Sequence, residues 1–424
     1  MDDWLTSAAR ARPDHPAVVA GGNAVTYAEL DRRATRVAGA LAARGVEPGE
    51  RVRVSHPSGI AFAELLHAVP RLGAVFAPVA PADPPEPDLG GDEADPPKPG
   101  SARAPAPDEA DLRTSHDPRA VFTVIHTSGT TGEPKPVELT FGNHAASAAA
   151  SADALGVDPA DRWLCPLPLH HVGGLGVLVR CAINHTTAVL HERFDAERVK
   201  RTLEAGEVTL ASLVPTMLVR LREAGLRQAR NLRAIALGGG PIPAGLLEWA
   251  EQAGIPVTPV YGMTETCSQV VAGSPGRPLE GVELEIGAGG EILVRGPMVA
   301  PGEQSSDGRL HTGDLGRLDG HGRLHVEGRL KELIVTGGEN VAPLEVEQAL
   351  LAHPSVADAA VTGRPDEEWG EAIVAFVVPR EWIDPDELRA WCRDRLQPHK
   401  VPKRIEFAEA LPRTPGGKLM RGRL

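Results

Sequence analysis

Apolar residues recur at Leu30, Ala34, Val37 and Leu41, three or four positions apart, which predicts an amphipathic helix. Thr26 followed by Glu29 makes a capping box at its start, and Gly45 fits the position just past its end. "RVRVS" then alternates as a strand and leads into an apolar helix ending near Gly73. From Ala120 to Ile125 five of six residues are apolar, and the run stops at a turn rich in glycine and hydroxyls. That pattern predicts a buried strand feeding a loop. "AVLH", "LASLVP", "AIALGGGP" and "PVTPVYGMTE" repeat it, with helical spacing between them.

This alternation predicts an α/β fold with a largely parallel sheet and helices on its faces. Past Glu291 short strands and turns take over, in "EILVRGP" and "GRLHVEG". After Lys331 comes a compact unit with its own elements. It holds a helix with Pro343 in its first turn, the strands "AVTG" and "AIVAFVVP", and a helix capped by Asp384. The expected organisation is therefore a large N-terminal domain, residues 1–330, and a small, mobile α+β C-terminal domain, residues 331–424. Residues 81–118 interrupt the first. Their 81–107 part is dominated by Pro, Asp and Glu with few large apolar residues, so they are expected to form a flexible linker.

Composition narrows the function classes. At 424 residues the chain exceeds one ordinary core. Its net charge of −13 argues against a nucleic-acid or anionic-membrane surface, and only 4% aromatics argues against base-stacking platforms. No apolar run has membrane-spanning length, and the acidic start "MDDWLTSAARARPDHP" is unlike a signal peptide. Cys165, Cys181, Cys267 and Cys392 lie far apart without a C-x-x-C, so reduced thiols and a cytoplasmic location are expected.

"HTSGTTGEPKP" carries the first chemical signal. Gly129 and Gly132 let backbone N–H groups turn toward one anion, Thr127, Ser128, Thr130 and Thr131 add hydroxyls, and Lys135 adds a charge. This is not the G-x-x-x-x-G-K-[ST] loop, but it suits phosphate equally. Glu265 in "YGMTET" suits Mg²⁺ beside phosphate oxygens, and is otherwise a solvated turn carboxylate. "GGGP", Gly238 to Pro241, lets a flat ring approach the backbone, or is an ordinary strand-ending turn. Asp314 in "HTGD" can accept two ribose hydroxyls, although alone it reads as a turn residue.

Together, the ordered motifs "TSGTTGEPK", "LPLHHVGG", "GGGP", "YGMTET", "HTGD", "GRLKELIVTGGENV" and "PRTPGGKLMR" resemble the adenylate-forming (acyl-CoA synthetase) superfamily along nearly the whole chain. The resemblance implies ATP, Mg²⁺ and CoA as reactants and cofactors. It places Thr127 to Gly132 and Lys135 on the ATP phosphates, Gly238, Gly239, Gly240, Pro241, Tyr261, Gly262 and Met263 around the adenine, and Thr264 and Glu265 at the α-phosphate and metal. Asp314 and Arg329 would hold the ribose, Lys331 the hinge, and Lys418 the adenylation chemistry. Gly337, Gly338 and Glu339 would line the thiol path, and His171 the acyl pocket. "LPLHHVGGLGVLVR", "VTLASLVPTMLVRL" and "YGMTETCSQVV" are similar to the o-succinylbenzoate–CoA ligase branch. That branch implies an aromatic dicarboxylate substrate of menaquinone biosynthesis, with Thr216, Ser268 and Gln269 as candidate contacts. Arg180 reads as a helix-end cap in preference to a substrate contact.

An aryl- or fatty-acyl-CoA ligase with the same mechanism is the nearest rival, and a catalytically silent nucleotide-binding protein is a remote one. A homodimer is left open. The chain also departs from the superfamily pattern. Pro136 follows Lys135 in place of glycine, Phe141 replaces a histidine, His170 replaces an aromatic, and residues 301–312 are short.

Overall fold

The computed structural model describes residues 1–81, 112–128, 134–243, 245–413 and 419–424. Three sheets share the larger part of these residues. The widest has nine strands, and its middle runs parallel through Val257–Met263, Ala234–Leu237, Leu210–Leu213, Arg162–Cys165, Thr187–Leu190 and Pro16–Ala20. Antiparallel strands close both edges, Ser268–Ala272 with Arg277–Pro278 on one side and Asn23–Thr26 on the other. The strands Thr187–Leu190, Leu210–Leu213 and Ala234–Leu237 are buried along their whole length, which is why they read as continuous apolar runs.

A second sheet joins Arg51–Val54, Val75–Pro78, Val121–Ser128 and Pro134–Thr140. Its last pair is antiparallel, with Ser128 opposite Pro134. A third, antiparallel sheet runs Glu283–Ile286, Glu291–Arg295, Leu310–Leu318, Leu324–Arg329. The predicted helix is Tyr27–Ala43, with both capping-box bonds between Thr26 and Glu29 formed. Gly45 follows it at φ 89°.

The C-terminal residues build a separate core. A five-stranded sheet centred on Val356–Asp366 and Gly370–Pro379 packs against the helices Pro343–Leu351 and Pro385–Arg393. Its apolar interior, from Ile334 to Val401, draws on no residue before 334. Pro343 and Asp384 take the first-turn and capping positions expected of them.

One stretch of the expected linker is ordered. Residues 112–118 pack against the chain's start, where Thr114 accepts from the Asp3 N–H at 2.8 Å and the His116 ring stacks 4.2 Å from Phe141. Burying that ring and hydrogen-bonding it to Asp3 outweighs the polar composition of the stretch. The rest of the linker, residues 82–111, lies outside the described residues. Phe141 also packs on Trp4 and Phe122, so an aromatic where the superfamily has histidine serves this core. No helix among the described residues is long and apolar enough to cross a membrane.

Candidate active site

The strand ends of the nine-stranded sheet and the adjoining antiparallel pair bring the motif residues together. Strand Val257–Met263 delivers Tyr261, then turns tightly through Thr264–Thr266. Across from it, Asp314 lies on Leu310–Leu318 in register with Arg329 on the neighbouring strand. One Asp314 oxygen accepts the Tyr261 hydroxyl at 2.9 Å, and the other faces Arg329 Nε at 3.0 Å. Burial, reinforced by the Asp314 charge, pushes the Tyr261 phenol well up, so it stays a donor. The carboxylate is thus oriented from both sides. Asp314 sits within a strand, and the bland reading as a turn residue falls.

The three glycines of "GGGP" have different reasons. A Cβ on Gly238 would meet Val260 at 2.6 Å, so this glycine serves strand packing. Gly239 turns the chain at φ 81°. At Gly240 nothing lies within 4 Å, which leaves the room a planar ring needs.

Glu265 is half-buried in its turn and has no ion pair among the described residues. Its own carbonyl accepts the Ala300 N–H at 2.8 Å, which fixes the backbone while leaving the carboxylate available. No group of three potential metal ligands converges among the described residues. Mg²⁺ asks for little more than one carboxylate when phosphates supply the remaining oxygens, so the donor set fits it.

In the segment expected to bind phosphate, Thr127 pairs with Lys135. Thr127 also donates its hydroxyl to the Lys135 carbonyl at 3.3 Å. Lys135 Nζ lies 2.5 Å from Glu303, a partner that nothing in the sequence announced. Glu303 belongs to the short turn Pro301–Glu303, inside the 301–312 stretch that departs from the superfamily pattern. Gly129, Thr130, Thr131 and Gly132 lie outside the described residues, as does the side chain of Ser128.

The rings of His170 and His171 lie 4.3 Å apart, tilted by 50°, just before the helix Val172–Asn184. Burial, with help from His171, pushes His170 down to about 4, so it is neutral at pH 7. His171 is exposed at the helix start. Thr216 and Ser268 are half-buried, and Gln269 is buried with its amide donating to Ser151 at 3.2 Å.

Arg180 overturns its expected role. It lies inside its helix at 3% exposure and caps nothing; His185 occupies the helix end. Its Nη2 donates to Ser147 at 3.2 Å, its guanidinium stands over the Trp163 ring at 5.8 Å, and its Nε has no partner. The groups whose charge would favour its cation are the thiols Cys181 and Cys267, both pushed up to about 12 by burial and therefore neutral. A fully buried cation without a counter-anion is costly unless an anion arrives.

Family models match this chain at residues 5–87 and 83–302, as AMP-binding enzyme, and at 345–418, as AMP-binding enzyme C-terminal domain. The chain belongs to the AMP-binding enzyme family. It is 37% identical to the 2-succinylbenzoate–CoA ligase of Bacillus licheniformis, over all of this chain and 99% of that one. The o-succinylbenzoate CoA synthetase of Bacillus subtilis, solved with its acyl-adenylate intermediate, superposes with a TM-score of 0.88 at 34% identity, covering 100% of this chain and 98% of the other. Its complex with ATP and magnesium ion gives the same score, covering 100% and 99%. A double mutant of that enzyme with a product analogue, OSB-NCoA, gives 0.72 over 100% and 98%. This AMP-binding enzyme therefore stands nearer the adenylate-bound arrangement than the product-analogue one.

In this family member the residues expected at the hinge and along the thiol path also have a structural setting. Lys331 is exposed in the turn Leu330–Glu332 that joins the two cores. Gly337 and Gly338, at φ 59° and 83°, form the two-residue turn of a hairpin that ends in Glu339. A Cβ on Gly337 would meet the Trp369 ring at 3.1 Å, and Lys403 stands over that ring at 3.9 Å. Lys418 lies outside the described residues. The chain on either side of it pairs at Arg413 and Leu419.

Proposed function

We propose that this chain is an ATP-dependent ligase that activates o-succinylbenzoate as its acyl-adenylate and passes the acyl group to the thiol of CoA. The observation that carries the substrate class is Arg180, a buried cation whose neighbours are neutral. A second substrate carboxylate supplies the missing charge, and a plain fatty acid would leave it unpaired. The names of the relatives support the same acid.

In the first half-reaction a carboxylate oxygen of the substrate attacks the α-phosphorus, the bond to the β-phosphate oxygen breaks, and pyrophosphate leaves. Both reactants are anionic, so the work is positioning and charge cover. Asp314, held by Tyr261 and Arg329, fixes the ribose. Lys135 and the loop hydroxyls take the phosphates, and Lys418 covers the charge where carboxylate and α-phosphate meet. Glu265 holds the Mg²⁺, which neutralises phosphate charge. In the second half-reaction the thiol sulfur attacks the acyl carbonyl and AMP leaves. Lys331 is the pivot, and the hairpin of Gly337, Gly338 and Glu339 lines the thiol's approach once the C-terminal unit has turned. The four free thiols are consistent with a reducing compartment and support a cytoplasmic reaction.

The test is pyrophosphate release with o-succinylbenzoate, benzoate and a medium-chain fatty acid, each with and without CoA. The diacid is expected to exceed both monoacids in kcat/KM by at least ~10²-fold, as for a site built around a polar partner. Equal use of either monoacid ends the dicarboxylate assignment and favours the aryl- or fatty-acyl rival.

A further inference from the structure

The turn that carries Thr264 and Glu265 is followed by two residues in backbone conformations that side chains disfavour. Cys267 sits at φ 50° and Ser268 at φ 91°, and neither is glycine. Such a pair persists only where its surroundings over-determine it. Three contacts do so here. Thr266 donates its hydroxyl to the Ser268 carbonyl at 2.7 Å while accepting the Met263 N–H at 2.9 Å. Gly262 makes room, since a Cβ there would lie 2.0 Å from that same Ser268 oxygen. The third contact comes from outside the turn. Ser147, buried on helix Phe141–Leu155, donates to the Cys267 carbonyl at 2.7 Å.

The Ser147 hydroxyl has a second partner, and the roles are forced. Arg180 can only donate, so the Ser147 oxygen accepts from Nη2 and its proton goes to Cys267. A continuous chain of hydrogen bonds therefore runs from the guanidinium through one hydroxyl to a carbonyl two residues beyond Glu265. All its side chains are buried, where such bonds polarise one another.

We propose that Ser147 is a positioning residue for adenylation. It pins the strained Cys267–Ser268 backbone and so sets the direction of Glu265 and Thr264. Because the same oxygen accepts a hydrogen bond from Arg180, an anion arriving at the guanidinium redistributes that donor and reaches the metal-binding turn through Ser147. Occupancy of the acyl pocket by a diacid is thereby coupled to the geometry that receives ATP. This inference rests on the substrate reading given above for Arg180, but its core, the pinning of the turn, is independent of which acid binds.

The experiment uses the full chain with Ser147→Ala, Ser147→Cys and Ser147→Thr. Two readouts are taken: the adenylation rate against Mg²⁺ concentration, and the rise in Tm on adding Mg²⁺ with a non-hydrolysable ATP analogue. In Ser147→Ala kcat is expected to fall about ten-fold or more, in the range found when groups supporting a metal ligand are removed. Half-saturating Mg²⁺ rises, the ligand-induced Tm gain shrinks, and KM for o-succinylbenzoate changes little. Ser147→Thr restores the hydroxyl and most of the rate. Ser147→Cys, nearly isosteric with a weak donor, keeps the fold and shows the loss should the alanine variant not fold. Wild-type kcat and Mg²⁺ dependence in Ser147→Ala, or in Ser147→Cys if only that variant folds, overturns the proposal. So does a loss confined to KM. Arg180→Met separates the two ideas: retained preference for the diacid sinks the substrate reading, while the Ser147 result judges the pinning of the turn.

Discussion

Lys135 and Glu303 show how one residue pair sets a binding constant. The ammonium is more than half exposed, so their 2.5 Å contact is worth little to stability. If Lys135 takes the ATP phosphates, as proposed, Glu303 competes with the triphosphate for the same cation. Glu303→Gln removes the competitor, and KM for ATP is expected to fall about two- to five-fold at low salt, the size of an exposed ion pair. Added salt should erase the difference. KM values for ATP at low and high ionic strength check this; a rise in KM would mean that Glu303 helps to place the loop. Motif reading found Lys135 because glycines and hydroxyls surround it. Glu303 carried no signal, since "PGEQ" looks like any surface turn and the contact spans 168 positions. Arg180 was misread for a related reason. An arginine eight residues after a helix start suggests a capping end, and only burial reveals the missing anion.

At the scale of elements, Lys418 is flanked in sequence by two ion-paired arginines, Arg413 and Arg421. Arg413 grips Asp358 with two oxygens at 2.9 and 2.8 Å. Arg421 reaches Glu332 at 2.8 Å, pairs with the buried Glu347, and donates to the Val361 carbonyl at 2.8 Å. Glu347 in turn accepts the Val361 N–H at 2.8 Å. Removing the arginine would leave a carboxylate buried without its cation. Arg421→Ala is expected to destabilise the C-terminal unit by about 3 kcal/mol, the lower end for breaking a buried pair. Urea unfolding should show it, and adding Glu347→Gln should recover part of the loss. A change below about 0.5 kcal/mol would put this pair among ordinary surface contacts. The helices were legible one by one, since Thr26 with Glu29, Pro343 and Asp384 mark their starts by local chemistry. The grip on the tail was not, because it joins residues 55 to 89 positions apart.

For the whole molecule, buried imidazoles link folding to pH. Burial depresses His67 to about 4 and His144 to about 3. Unfolded, each titrates near 6.5. Between those values the unfolded chain binds protons that the folded chain refuses, so stability falls as pH falls. Asp3 acts in the same direction at lower pH. Although burial opposes its charge, His116 and Arg71 hold its carboxyl well below the usual range, and that stability is lost below about pH 4. Tm should therefore decline steadily from pH 7 toward pH 4, by an amount equivalent to a few kcal/mol in total, and faster below. A flat Tm between pH 6.5 and 4.5 would contradict neutral burial of these rings. Replacing His144 with Gln should flatten part of the slope.

The sequence by itself determined the family, the order of the two units, and every contact formed within a turn or a strand's length. Glycine at positive φ, capping pairs and the periodicity of apolar residues are local physics, readable wherever they occur. It also supplied the expected roles of Asp314, Tyr261 and Glu265, because their motifs arrive in one order along the chain. Tertiary structure alone decided which charges are buried and what they face. Arg180 against neutral thiols, Ser147 between a guanidinium and a strained carbonyl, and Glu303 on Lys135 all depend on packing between elements distant in sequence. Desolvation is a property of the assembled interior, and no spacing of letters encodes it.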